Sequence, residues 1–351
     1  MSQATAEFPQ QTIGIDLSDE MSTYVALDAN GTRTQEGKFP TVREGVLDAF
    51  RDLEPSRMIV EACLHGSWVA RTLVSMGHEV YIANPRKVQL ISKSSRKTDR
   101  NDAMTLARLG RADPQLLHPV WLRPEAAQAI RATLRTRRQL VRMRTRLINM
   151  TRAECKVHGS RLAPCASSYF ARKVRPMIPA LLRDALAPAL DTIEHIDDEV
   201  RRLDKRVEEM CKAIPITGAL RQVRGVGPLV ALAFVTSIVD PKRFKDSRTV
   251  GAYLGLTPRS YQSGSSDPHL RISKEGDRDL RVLLVTAATH MMRQSSPDTD
   301  LKRFGRRIAS RGNPRDRARA RVAVARKLAV LLHRLWLTGE EYEPLRVASA
   351  A

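Results

Sequence analysis

The sequence predicts an α/β domain with a mixed sheet, then long helices, then a mainly α-helical C-terminal domain. Three observations carry this. Short apolar runs rich in β-branched residues alternate with helical patterns as far as Pro85. Two stretches, about 124–157 and 179–213, then repeat apolar residues every three or four positions. Beyond residue 215, apolar helical runs are punctuated by Gly and Pro. With 351 residues, the chain can bury more than one core.

The elements follow in order. "TIGIDLS" reads as a first strand, and "TYVALDANG" as a second that ends in a turn signal. "TRTQEGKFP" makes a third. "TVREGVLDAFRDL" predicts a helix capped by its Thr, with Val42, Val46, Leu47 and Phe50 on the apolar face. "RMIVEAC" is a buried strand, "GSWVARTLVSMG" a helix closed by Gly77, and "HEVYIANP" a strand stopped by Pro85. The first long helix is basic: residues 131–161 hold nine Arg and one Lys against Glu154 alone. Leu140, Met143, Leu147 and Met150 give it an apolar face. In the second, Ile193, Ile196, Val200, Leu203, Val207 and Met210 form a heptad seam. The pair predicts an antiparallel coiled-coil arm, which serves either a bundle within the chain or dimerisation. "RGVGPLVA" has the form of a helix-hairpin-helix turn, whose glycines let backbone N–H groups approach a phosphate. Residues 301–334 carry twelve Lys or Arg and one Asp, which would repel one another on helices without a polyanion.

The charge balance narrows the partners. Lys and Arg number 59 against 38 Asp and Glu, a net charge of +21. Neutralising phosphates is the commonest use for such an excess, and Arg supplies a planar fork that Lys lacks. No basic amphipathic helix with an aromatic face stands out, which disfavours a membrane surface. Cys63, Cys155, Cys165 and Cys211 show neither zinc-ligand spacing nor a disulfide framework, as expected of free thiols in a reducing cytosol. The N-terminus lacks the charged and apolar regions of a signal peptide. A cytoplasmic protein is the expectation.

Four acids stand out. Asp16 lies in an apolar strand, and Glu61 ends another; a buried carboxylate is costly unless it has a partner or a task. In "RKTDRNDA", Asp99 and Asp102 share a helical face, beside Lys97 and Arg100. Each acid alone is explained as a helix cap or a surface charge. Together, in so basic a chain, they suit Mg2+, a hard cation that takes few carboxylates and the substrate's phosphates.

"GIDLS", "VEAC" and "KTDRNDA", in this order, resemble the RuvC-like (RNase H-like) DEDD domain of the IS110 family of insertion-sequence transposases, relatives of the Piv DNA invertase. The stretch from "LRQVRGVGPLVALAFVTSIVD" through "GLTPRSYQSG" to "RVLLVTAA" is similar to the family's second conserved domain. The resemblance implies that Asp16, Glu61, Asp99 and Asp102 hold Mg2+ and that Ser263 attacks DNA, with Ser260, Ser265 and Ser266 as rivals. It implies domains at 1–120 (RuvC-like, catalytic), 121–214 (coiled-coil arm), 215–300 (transposase domain with the serine) and 301–351 (basic helical tail). It also implies a prokaryotic, nucleoid-associated protein with DNA target and donor, a non-coding guide RNA, and a dimer that becomes a synaptic tetramer. Expected nucleic-acid contacts are Lys97, Arg100, Arg138, Arg142, Arg224, Arg259, Lys274 and Arg278. The low count of aromatic residues disfavours extensive base stacking. Two other functions compete: a junction endonuclease that uses water as nucleophile, and a nucleic-acid-binding protein without catalysis.

Overall fold

Strand pairing and helix packing divide the chain into two units, residues 1–123 and 124–351. The computed structural model describes residues 10–88, 98–262, 268, 270–310 and 312–346. The first unit is built on a five-stranded sheet of order β3-β2-β1-β4-β5. β1 (Gln11–Asp16) and β2 (Met21–Asp28) form an antiparallel hairpin, and β3 (Arg33–Pro40) continues the meander. β4 (Arg57–Glu61) then pairs parallel with β1, and β5 (Glu79–Ala83) parallel with β4.

The period of two along each strand sorts side chains between the layers. Ile13, Ile15, Tyr24, Met58 and Val60 face a core shared with Phe50 of α1 (Arg43–Phe50) and Val69 and Leu73 of α2 (Gly66–Ser75). The alternate residues Val25, Leu27 and Ile59 face α3 (Asp99–Ala112), through Ala103, Leu106 and Ala107. The result is a three-layer α/β sandwich of the expected class. One local expectation changes. Thr41 does not cap α1; its buried hydroxyl lies 2.7 Å from that of Ser22, and Val42 takes the cap position without a side-chain bond.

The second unit is helical. α4 (Glu125–Val157) and α6 (Arg183–Lys212) pack side by side, with the short α5 (Phe170–Val174) between them in sequence. Arg137 meets Asp204, and Arg144 meets Asp197, so the two helices run antiparallel. The seam on α6 matches its sequence pattern: Ile193, Ile196, Val200 and Val207 are buried. The seam on α4 is rotated from the expected one. Ile148, Thr151 and Cys155 are buried, while Met143 and Met150 are exposed. Arg144 occupies a half-buried seam position because Asp197 neutralises it there, which apolar periodicity cannot register.

The remaining helices are α7 (Ile216–Arg221), α8 (Pro228–Ile238), α9 (Thr249–Tyr253), α10 (Arg278–Met291), α11 (Asp300–Ala309) and α12 (Pro314–Thr338). Their core joins Leu220, Phe234, Leu254 and Leu284 to Val324, Leu328 and Leu332 of α12. The basic segment 301–334 is thus a core element: α12 turns a continuous apolar stripe inward and its Arg residues outward. No described helix is long and apolar enough to cross a membrane.

Candidate active site

The four acids of the first unit gather at one end of the sheet. The parallel register pairs Gly14 with Ile59 and Ile15 with Val60, so one further step sets Asp16 beside Glu61 at the carboxyl ends of β1 and β4. Alternation puts both on the face that carries Gly14 and Ile59, the face covered by α3. The direction of α3 follows from its contacts. Gly110 packs on Ile59 and Thr12, whereas Ala103 and Ala107 pack on Gly14. The helix therefore runs against β1, and its first turn, with Asp99 and Asp102, reaches the end where Asp16 lies. Asp102 is buried, Asp16 and Glu61 are half-buried, and Asp99 is exposed. Neither Asp is the cap of α3: Thr98 accepts a hydrogen bond from the backbone N–H of Asn101. The carboxyl ends of strands at the point where the chain order reverses form the usual ligand crevice of open α/β sheets, and here that point is β1/β4.

In kind, these donors fit a hard divalent cation: all are carboxylates, placed at strand ends and at a helix N-terminus. Among the described residues, no three His, Cys, Asp or Glu side chains stand close enough together to hold an ion. Placement has brought the acids to one end of the sheet without closing them into a cage.

In the second unit, the described residues on either side of the segment expected to carry the nucleophile form a tightly built neck. Ser263, Ser265 and Ser266 lie outside the described residues, as does Lys97 of the first unit; Ser260 is described and exposed. Flanking the serines, Arg259 N–H donates to Arg271 O at 3.0 Å and Ser273 N–H to Thr257 O at 2.9 Å. At the base, buried Arg281 donates to Leu254 O at 2.8 Å and Glu275 O at 2.6 Å. Gly276 takes φ +71°, and a side chain there would collide with the carbonyl of Tyr253. Asp277 caps α10 and binds Arg131 of α4 at 2.5 Å and the Ser237 hydroxyl at 2.7 Å. Burial pushes its pKa up, but Arg131 and these hydrogen bonds outweigh that and hold it below the ordinary carboxylate value.

The expected basic contacts divide. Arg100 is engaged by Glu36 at 2.8 Å, and Arg138 by Asp279. Burial, then the charges of Arg142 and Arg278, lower the Arg138 pKa. Arg142, Arg224, Arg259, Lys274 and Arg278 are exposed.

Comparison with known proteins places this geometry. A transposase model of the DEDD type of IS110 matches residues 13–154, the span that contains all four acids. A second, described as the transposase IS116/IS110/IS902 family, matches residues 218–303. The chain belongs to the IS110 family of transposases. Among relatives, a probable family 20 transposase of Pseudomonas aeruginosa is 29% identical over 83% of this chain and 86% of its own. The transposase of element IS1111A of Coxiella burnetii is 28% identical over 94% of this chain and 90% of its own. The pilin gene-inverting protein of Moraxella bovis is 24% identical over 78% of each chain. Within this IS110-family chain, sequence reading missed Arg131, Asp277 and Arg281. A signal for Arg281 existed: it lies in phase with the buried Leu280, Leu284 and Ala288 of α10, where a charge needs a partner.

Proposed function

We propose that the protein is an insertion-sequence transposase that cuts and rejoins DNA, with Asp16, Glu61, Asp99 and Asp102 as Mg2+ ligands and Ser263 as nucleophile. The observation that carries this is the gathering of the four acids at the carboxyl ends of β1 and β4 and the first turn of α3. A mixed sheet with acids at those positions also supports a RuvC-like reading of the first unit. The Ser263 hydroxyl attacks a backbone phosphate, its proton passes to solvent, and the DNA oxygen leaves as a hydroxyl. A hydroxyl from the partner strand then displaces the serine and restores it. Mg2+, when bound, neutralises charge building on the phosphate. Asp16, Glu61, Asp99 and Asp102 would hold those ions, and exposed Arg side chains hold flanking backbone. Relatives named as transposases and as a gene-inverting protein support DNA rearrangement as the outcome. Sequence choice is delegated to a guide RNA paired with target and donor, and the assembly is a dimer that becomes a tetramer on DNA. A chain rich in Arg and poor in aromatic residues suits backbone gripping of this kind.

The test is a Mg2+-dependent recombination assay with element-end DNA. Asp102→Asn is expected to abolish strand breakage while DNA binding persists. Wild-type reactions stopped with denaturant should yield a Ser263–phosphate adduct by mass spectrometry. Full recombination by Ser263→Ala would replace the serine with water as nucleophile. No strand breakage by the wild type in any Mg2+ condition would leave a binding protein.

A further inference from the structure

We propose that the mouth of the α7–α8 hairpin is a pocket for a backbone phosphate of nucleic acid, assembled from two segments distant in sequence. This rests on the reading of the chain as a nucleic-acid enzyme, but concerns a place apart from the four acids and the serine. A cavity of about 260 Å³ opens there. Arg224 and Gly225 line it from the hairpin; His290, Arg293, Ser295 and Ser296 line it from the end of α10 and the turn that follows.

Two features build it. Gly225 has φ +84°, and a side chain there would press within 3.2 Å of the Ala287 carbonyl oxygen and of Met291 Cγ. Glycine thus lets the hairpin sit against α10, which fixes Arg224 beside the helix end. On the other side, Lys302 of α11 is 2% exposed. Its ammonium donates to Gln294 O at 3.1 Å and to Ser296 O. A buried ammonium held by two carbonyls of one short turn is a costly arrangement whose structural effect is to fix that turn.

The lining is one-sided in charge. At the α4–α6 seam, Arg137 and Arg144 each face a carboxylate. No carboxylate lines this cavity, and no ion pair among the described residues engages Arg224 or Arg293. Two guanidiniums, an imidazole and two hydroxyls around one concavity match a tetrahedral oxyanion, for which the Arg fork is the best protein ligand. The chain's charge of +21 makes a nucleic-acid phosphodiester the source. Duplex DNA and structured RNA present the same group, and the test separates them.

The full chain is titrated with a fluorescent DNA duplex and, separately, a fluorescent RNA hairpin, over a series of salt concentrations. Arg224→Ala with Arg293→Ala is expected to bind at least one probe about tenfold more weakly, with the slope of log affinity against log salt reduced by about one. Loss on DNA alone assigns the pocket to DNA, and loss on RNA alone to RNA. Arg224→Lys with Arg293→Lys should recover the slope and part of the affinity, because charge returns without the fork. Both residues are exposed, so the melting temperature should not move. Wild-type binding with an unaffected double Ala variant would overturn the pocket alone. Weaker binding at an unchanged salt slope would overturn the phosphate contact. Wild-type protein that binds neither probe would sink the functional reading as well.

Discussion

Gly14→Ala tests how the acids are held together. A methyl group at Gly14 would stand 2.5 Å from the backbone nitrogen of Ala107, and closer still to the carbonyl oxygen of Ala103, where ordinary contact begins at 3.4 Å. Both obstacles are backbone atoms of α3, so no rotamer change relieves them. The helix must retreat from β1 by roughly 1 Å, which loosens Ala103, Leu106 and Ala107; overpacking of this kind costs about 3 kcal/mol, the upper end of its usual range. For a unit of this size that lowers the melting temperature by roughly 10 °C. Asp102 precedes Ala103 and travels with it. A displacement of about 1 Å at a catalytic group costs roughly a hundredfold in rate. Thermal melts by circular dichroism and Mg2+-dependent strand breakage on element-end DNA measure the two effects. Gly110→Ala is the companion. Its methyl would meet the Cδ1 and Cγ1 atoms of Ile59, which can rotate, and helix propensity returns about 1 kcal/mol. If Gly14→Ala melts and cleaves like the wild type, or Gly110→Ala does the greater damage, the account of the α3–β1 joint is wrong.

Three further outcomes are expected. Asp197→Ala should cost about 2 kcal/mol in denaturant titration, somewhat less than for a fully buried pair, because it strands a half-buried Arg144, whereas Arg144→Met with Asp197→Leu should be near neutral. Arg281→Met leaves the carbonyls of Leu254 and Glu275 without their shared donor; amide exchange at Gly255 and Gly276 should rise at least tenfold, with a loss of about 2 kcal/mol. Acid should destabilise the second unit in two stages. Burial lowers the His333 pKa below its ordinary 6.5, so its contribution is complete above 6.5 and fades as pH falls through the folded value. Asp277, also lowered, contributes above the ordinary carboxylate value of 3.8 and is lost at still lower pH. His333→Gln should erase the first stage, and a first stage that persists would refute the assignment.

The strands, most helices and the four acids were legible in the sequence for a common reason: each is a local pattern with a local cost. An Asp after "TIGI" or a Glu after "RMIV" violates the expected burial of its own strand, and no partner needs to be known to see it. The parallel register that carries Asp16 and Glu61 to the same edge was not legible, because strand pairing is set by the whole sheet. Nor was the role of Thr41, since its partner Ser22 lies nineteen residues away and a hydroxyl serves a cap or a buried pair equally well. The phase of α4 was missed for a related reason. Met143 and Met150 look like core, yet the packed face carries Arg137 and Arg144, and only the opposing Asp204 and Asp197 on α6 make those arginines acceptable inside. The neck behind the serine segment was hidden because its donors reach backbone carbonyls, which every sequence contains.

The same pairing changes what the net charge of +21 means. In α4, whose basic run first pointed to a polyanion, Arg131, Arg137, Arg138 and Arg144 are engaged by Asp277, Asp204, Asp279 and Asp197. Those arginines hold the second unit together, and replacing them would test stability before binding. Other charges turn to solvent: Arg135, Arg142 and Arg146 on α4 itself, Arg224 and Arg293 at the hairpin mouth, Arg259 and Lys274 on the neck, Arg278 at the start of α10, and several Arg residues of α12. Phosphate contacts, and hence the steepness of salt dependence, scale with the exposed charges rather than with the total. Charge reversal at Arg131, Arg137, Arg138 or Arg144 should therefore lower the melting temperature first, whereas reversal at the hairpin mouth should leave it in place and flatten the salt response.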